Sequence, residues 1–422
     1  MRCYCHTKLM SGIKQGIIKK IIGIIFFIIL TSCKNQIENT GIPGEKKQNL
    51  GDKKGSTFVE PLIPAIKKNP TSTELRGVWI TNVDSEVLYS IQKTTEALNI
   101  LSELNFNTLY PVVWNKGETL YPSAAAQAAF SEKISAHPLL RNRDALKEIT
   151  EIGRKLDFKI YPWLEYGMIS AVNSSLSRRH PDWLTQTSAG IKGDSNGWGW
   201  LNPVHPEVQN FIVAMAREIV QNYDIDGIQF DDHFCLPVDY GYDALTIDIY
   251  KKEHGGKTPP TKATDPEWMQ WRADKLTSLL ARISKEIKAI KPNIKISISP
   301  NNYYFSYNKS LQDWKKWVEM GIVDQIVVQV YNNDASAFKN EITKPEIAQA
   351  KAKIPVGVGI LTGLRSKPIP MSQITSQILS SRRENLSGVS FFFYETIFNS
   401  TEPKAARLDA MKNIFKEPAR VP

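Results

Sequence analysis

The feature that most constrains the fold is a repeated alternation. Eight short apolar runs, at 75–81 (LRGVWIT), 108–114 (TLYPVVW), 159–165 (KIYPWLE), 227–231 (GIQFD), 295–300 (KISISP), 325–331 (QIVVQVY), 355–360 (PVGVGI) and 389–395 (VSFFFYE), are separated by longer amphipathic stretches. Such runs fit buried parallel strands, and the stretches at 91–104, 144–157, 206–222, 267–290, 311–320, 345–352, 372–384 and 404–415 carry helical spacing. Pro206 stands in the first turn of the clearest of these, where a missing N–H costs nothing. Eight strand-then-helix units predict an α/β chain folded as a (β/α)₈ TIM barrel, with enlarged loops after strands 2, 3 and 4. A doubly wound sheet is the rival, and the chain has no Gly-rich phosphate loop opening the first helix to support it.

The formal net charge of +10 is misleading as a signal of nucleic-acid binding. Arg2, Lys8, Lys14, Lys19 and Lys20 lie within residues 1–33, which hold no acid, and without those five the charge falls to +5. The remaining basic residues are scattered, with no basic block interleaved with aromatics, so no nucleic-acid partner is expected. The segment KKIIGIIFFIILTSC reads as a basic region, a short apolar run and small residues before Cys33. That is the pattern of a bacterial lipoprotein signal peptide, 1–33, with lipid on Cys33 anchoring the mature chain to a membrane in the periplasm or at the cell surface. An uncleaved anchor or an ordinary signal peptide is the alternative, and Met10 competes with Met1 as the start. Removal of that segment takes Cys3 and Cys5 and leaves Cys235 alone in the folded part, so no intramolecular disulfide is available. Residues 34–72, rich in Lys, Asn, Gly and Glu at their start, read as a tether, 73–416 as one catalytic domain and 417–422 as a tail. A monomer is expected.

Chemistry enters at the strand ends. Neighbouring side chains on a strand face opposite sides, so in GIQFDD the apolar Ile228 and Phe230 share one face while Gln229 and Asp231 share the other. The same division groups Tyr161, Trp163 and Glu165 on strand 3, Gln329 and Tyr331 on strand 6, and Phe391, Phe393 and Glu395 on strand 8, with Ser299 and Asn301 ending strand 5. Several strands thus deliver polar groups to the face where barrel active sites form. Helix caps, turns and internal salt bridges would use the same residue types, but adjacent aspartates such as Asp231 and Asp232 repel and need a proton, ligand or partner. Carboxylates in a mouth lined by aromatic rings point to glycoside hydrolysis, in which one group donates a proton and another acts as base or nucleophile. Acyl transfer lacks a Gly-x-Ser-x-Gly elbow. A metal built from Asp231, Asp232, His233 and Glu165 lacks the usual His-x-His or His-Glu-x-x-His spacing, so neither metal nor other cofactor is expected.

Five ordered motifs, ELRGVWIT, YPWLEYG, WLNPVHPEVQNF, DGIQFDDHF and VVQVYNND, together resemble the glycosyl hydrolase-like family 10 of bacterial envelope proteins. The similarity extends over about residues 72 to 400. It implies a (β/α)₈ barrel acting on envelope polysaccharide, foremost the amino-sugar strands of peptidoglycan. Position by position it implies that Asp231 and Asp232 are the acidic pair of strand 4, Glu165 the carboxylate of strand 3, and Gln329 and Tyr331 the polar pair of strand 6. A fainter similarity links the chain to the family 18 chitinases, whose fourth strand ends in Asp-x-Asp-x-Glu. Here His233 stands where that pattern wants Glu, so substrate-assisted catalysis does not carry over.

The expected catalytic set is therefore Asp231, Asp232 and Glu165, with Asp231 or Asp232 as general acid and Glu165 as base or binding carboxylate. Trp79, Trp114, Trp163, Tyr166, Gln229, His233, Asn301, Gln329, Tyr331 and Glu395 are the expected substrate contacts, the indoles and that of Trp200 as stacking faces. Two alternatives stand beside this one: a surface lipoprotein that binds glycan or another ligand on an inert barrel, and a hydrolase of a different envelope or exopolysaccharide.

Overall fold

The computed structural model describes residues 70–364, 367–398 and 402–422. The expected signal segment, the Cys33 lipidation site and nearly all of the tether lie outside the described residues. Among the described residues, no helix is long and apolar enough to cross a membrane.

Eight parallel strands close on themselves. They are β1 (Leu75–Ile80), β2 (Thr108–Asn115), β3 in two pieces (Lys159–Ile160 and Trp163–Leu164), β4 (Gly227–Asp231), β5 (Lys295–Ser299), β6 (Gln325–Gln329), β7 (Val356–Leu361) and β8 (Gly388–Phe392). Each pairs with its successor, and β8 returns to β1 through Val389↔Arg76. Around them run α1 (Ile91–Glu103), α2 (Ala145–Lys155), α3 (Pro206–Asn222), α4 (Pro266–Ile290), α5 (Trp314–Glu319), α6 (Pro345–Lys351), α7 (Met371–Arg383) and α8 (Lys404–Ile414). Side chains of Ser90, Asp144, His205 and Asp265 accept from the first free backbone N–H groups of α1 to α4, which fixes where those helices begin. The architecture is the (β/α)₈ barrel expected from the alternation.

Four local differences have physical causes. The expected helix 311–320 is the shorter α5, and a separate helix absent from the sequence reading, Tyr303–Ser310, precedes it and ends where Leu311 turns left-handed. In β2 the register slips between Val112 and Trp114, a bulge that reverses the inward phase of the last residues. In β8 the expected inward set Phe391, Phe393 and Glu395 does not hold. Phe391 packs on Phe106 and Phe415, whereas Phe392 meets Trp79, Trp163 and Tyr331 inside. The strand ends at Phe392 and a short helix, Tyr394–Phe398, follows, so a two-residue period counted back from Glu395 has no basis. Finally, the expected tail is paired: Ala419 with Ser72, the last residue of the expected tether, and Arg420 with Thr73, the first of the expected domain.

A chain of buried polar side chains, each satisfied by the next, crosses the barrel interior. Trp79 donates its indole N–H to Gln229 Oε1 at 2.6 Å, Gln229 Nε2 donates to Ser297 Oγ at 2.9 Å, and Ser297 Oγ and Tyr110 OH both donate to Gln325 Oε1. This chain joins five strands, and buried polar groups so paired rigidify the floor beneath the strand ends.

The inserts after the strands carry their own structure. The one after β2 holds helix Ala124–Phe130, whose first amides are received by Glu218 of α3 at 3.0 and 3.1 Å. The one after β3 holds a hairpin, Ile169–Ala171 against Trp198–Trp200. The one after β4 is held by the fully buried Arg272, whose guanidinium donates to the carbonyls of Val238, Tyr240 and Ala263.

Candidate active site

Asp231 ends β4 and is 2% exposed. Its carboxylate is held by three donors: Trp163 Nε1 at 3.1 Å, the His233 backbone N–H at 2.9 Å and His233 Nδ1 at 3.4 Å. Burial raises its pKa to about 6, with His233 opposing and Asp232 adding to the rise. Asp232 points to the opposite flank of the mouth, where Asn301 Nδ2 donates to one oxygen at 2.8 Å and Gln329 Nε2 to the other at 2.9 Å. The adjacent aspartates therefore do not share a proton. Each has its own set of donors.

Glu165, at the end of strand β3, is 8% exposed and accepts from Asn115 Nδ2 at 2.7 Å. Burial and the Asp231 charge push its pKa up to about 8, against the pull of His233 and Lys116. At neutral pH it holds a proton while Asp231 is ionised. Two carboxyl groups with separated affinities in one site are the electrostatic signature of an acid and a base.

His233 lies between them. Its Nδ1 donates to the Glu165 backbone carbonyl at 2.8 Å and stands 3.3 Å from Asp231 and 3.9 Å from Asp232. Burial lowers its pKa, but Asp232 and Asp231 outweigh that and set it at about 10. The ring stacks on Tyr166 at 5.2 Å. Tyr331 completes the mouth from the loop after β6: partly buried, it packs on Phe392, and burial with the Asp232, Asp231 and Glu165 charges keeps its phenol well above the usual value.

The expected site residues thus divide. Asp231, Asp232, His233, Glu165, Tyr166, Trp163, Asn301, Gln329 and Tyr331 converge through direct contacts or through each other's charge. Trp163 is 3% exposed and serves as a hydrogen-bond donor to Asp231. Gln229 and Trp79 lie below, in the sealed barrel floor. Trp114 is fully buried against Phe211 of α3, turned outward by the β2 bulge, and Trp200 packs on Tyr240. No face of Trp79 or Trp114 is open to a sugar. Glu395 sits on the helix after β8, where burial raises its pKa to about 7, Ser85 opposes the rise and Asp84 adds to it. Its neighbours belong to the loop after β1. Asn115, the residue the bulge turns inward, escaped the sequence reading. It bridges Glu165 and Asn82, and the one signal for it was its place directly after strand 2.

Asp231, Asp232 and His233 each bring one ligand atom within 4.8 Å of the others, a spacing that a metal ion can use. Yet His233 Nδ1 is committed to a carbonyl, and the carboxylate oxygens are occupied by Trp163, His233, Asn301 and Gln329. The donor set fits hydrogen-bonded carboxylates better than a cation cradle.

The chain is similar to known glycosyl hydrolases in sequence and in fold. The glycosyl hydrolase DigH of Escherichia coli K12 is 28% identical over 332 residues, covering 65% of this chain and 71% of its own. The glycosyl hydrolase YngK of Bacillus subtilis 168 is 24% identical over 303 residues, covering 64% of this chain and 56% of its own. Among solved structures, the glycoside hydrolase domain of PgaB (BpsB) from Bordetella bronchiseptica matches with a TM-score of 0.59 at 14% identity, covering 81% of this chain and 99% of that one. An α-L-fucosidase from Paenibacillus thiaminolyticus matches with a TM-score of 0.57 at 13% identity, covering 81% of this chain and 49% of that one. At those identities the likeness is one of fold. The family description "Glycosyl hydrolase-like 10" matches residues 74–379, well over half of the sequence, and the chain belongs to that family.

Proposed function

We propose that the protein hydrolyses glycosidic bonds in bacterial envelope polysaccharide, with the amino-sugar glycan strands of peptidoglycan as substrate. The observation that carries the chemistry is the separation of proton affinities between Glu165 and Asp231 within one mouth. Glu165, protonated at neutral pH, is the general acid that protonates the leaving oxygen. Sequence alone favoured an aspartate for that step. The geometry favours Glu165, because Asp231 already accepts from three donors and has little freedom to deliver a proton. Asp231, ionised at neutral pH, is the carboxylate that orients the attacking water or stabilises the oxocarbenium-like centre, and Asp232, held at both oxygens by amides, binds substrate on the opposite flank of the mouth. Tyr331 supplies a hydroxyl for a substrate oxygen.

The choice of envelope glycan rests on the family and on the export signal read from residues 1–33. In this reading lipid on Cys33 holds the enzyme at a membrane beside its substrate.

The test is digestion of peptide-free glycan strands in oxygen-18 water with mass spectrometry of the products. The expected result is shortened strands with one label at each new reducing end. Products ending in an anhydro sugar would replace hydrolysis with elimination. Tight binding without turnover would favour a glycan-binding lipoprotein, and turnover of another envelope polymer alone would move the substrate class. The rate should follow a bell, rising with ionisation of Asp231 near pH 6 and falling with deprotonation of Glu165 near pH 8.

A further inference from the structure

His233 occupies the position where a chitinase-like strand end would carry an acid, and its surroundings are unusually closed. Four contacts fix it. Its backbone N–H donates to Asp231 Oδ1 at 2.9 Å, its carbonyl accepts from Met168 N–H at 2.9 Å, its Nδ1 donates to the Glu165 carbonyl at 2.8 Å, and its ring lies nearly parallel to Tyr166, at 15°. Gly167 lets the two loops meet: at φ +29°, a Cβ there would come within 2.6 Å of Phe234 N and 2.8 Å of the His233 carbonyl oxygen. The ends of β3 and β4 are thereby zipped together around one imidazole. A carbonyl oxygen can only accept, so Nδ1 carries a proton in every ionisation state of the ring.

The titratable groups facing the ring come from each element packed on it. Asp231 and Asp232 flank it from its own strand end, and Glu165 and Tyr166 from the end of β3. Lys116, from the loop after β2, acts on Glu165 through its charge, and Tyr331, from the loop after β6, lies in the field of Asp232, Asp231 and Glu165. Two carboxylates within 3.9 Å of one ring nitrogen outnumber the distant ammonium.

We propose that His233 is a fixed cation, a positioning residue that sets the charge and orientation of Asp231 and Glu165 and exchanges no proton during turnover. The proposal rests on the glycoside hydrolase reading for its catalytic consequence. It excludes a role for His233 as the acid or base that replaces the chitinase glutamate. Because His233 lowers the proton affinity of both Asp231 and Glu165, its loss moves both limbs of the rate profile in one direction.

The test variant is His233→Asn, whose side-chain amide can still donate to the Glu165 carbonyl while carrying no charge. The expected result is a bell displaced as a whole to higher pH, by about 1 to 3 units, the usual effect of one opposite charge at this range. A uniform fall in rate with both limbs in place would overturn the proposal, since that is what a merely structural contact produces. A second measurement needs neither the variant nor activity: nitrogen-15 spectra of the histidine-labelled wild-type protein, with His233 assigned through its backbone. The His233 ring should stay imidazolium from pH 5 to about 9. Titration near pH 6.5 would overturn the proposal. If no glycan is cleaved, the functional reading fails, and the nitrogen spectra still decide the charge of His233.

Discussion

Replacing Glu165 with Gln separates catalysis from stability at a single atom. The amide keeps the shape of the side chain and an oxygen to accept from Asn115 Nδ2, now at 2.7 Å from Glu165. It removes the ionisable proton. For the wild type, Glu165 has a folded-state pKa of about 8 against an ordinary 4.5. A carboxyl whose folded pKa is raised binds more protons in the native state between those two values, so stability falls as pH rises through that window. At pH 7 the gap spans roughly 2.5 pH units at about 1.4 kcal/mol each, a penalty of about 3 kcal/mol that the Gln variant does not carry. Folded chains of roughly 350 residues have unfolding entropies near 0.7 kcal/mol/K, so the variant should melt about 4 °C higher at pH 7 and at the wild-type temperature at pH 4.5. The same change removes the proton donor, and hydrolysis should fall by about 10² to 10⁴. Calorimetry at the two pH values and release of reducing ends from glycan strands check both halves. An equal difference in melting temperature at both pH values would refute the buried, proton-holding Glu165, and full activity would refute its role as acid.

Two further substitutions distinguish the floor of the site from its mouth. Gln229→Leu strands the Trp79 indole N–H and breaks the chain to Ser297, so urea denaturation should show a loss of about 1–3 kcal/mol, with KM of the remaining folded enzyme unchanged. Tyr331→Phe deletes the hydroxyl proposed to meet a substrate oxygen, which lies in the field of Asp232, Asp231 and Glu165, so kcat/KM should fall about tenfold while the urea midpoint stays in place.

Much of the fold was legible because its determinants are local. The apolar runs and the spacing of the helical stretches are properties of neighbouring residues, and the observed α3 and α4 bounds match the read ones closely: Pro206 and Pro266 mark their first turns. Alternation also placed Gln229 and Asp231 on one inward face, correctly, because β4 is an unbroken strand of five residues. The same rule failed on β2 and β8, where the period itself is interrupted. A bulge after Val112 exchanged Trp114 for Asn115 at the mouth, and the early end of β8 exchanged Phe391 for Phe392. Three consecutive phenylalanines offer no polarity difference to reveal the phase.

What sequence could not supply is the pairing of charges across strands. Asp231 and Asp232 are adjacent in the chain, which suggested a need for a proton, ligand or partner, and alternation sends them to different partners: Asp231 to Trp163 of β3, Asp232 to Asn301 just beyond β5 and Gln329 at the end of β6. The raised proton affinity that adjacency seemed to give an aspartate falls more strongly on Glu165, sixty-odd positions away in sequence and buried beside Asp231. His233 completes the reversal. Read as a departure from a chitinase-like motif, it is in three dimensions a ring within 3.9 Å of both aspartates, and its hold on the Glu165 carbonyl ties that residue to the same cluster. With His233 in place of the chitinase glutamate, the proposed acid lies at the end of β3, as Glu165, and not at the end of β4.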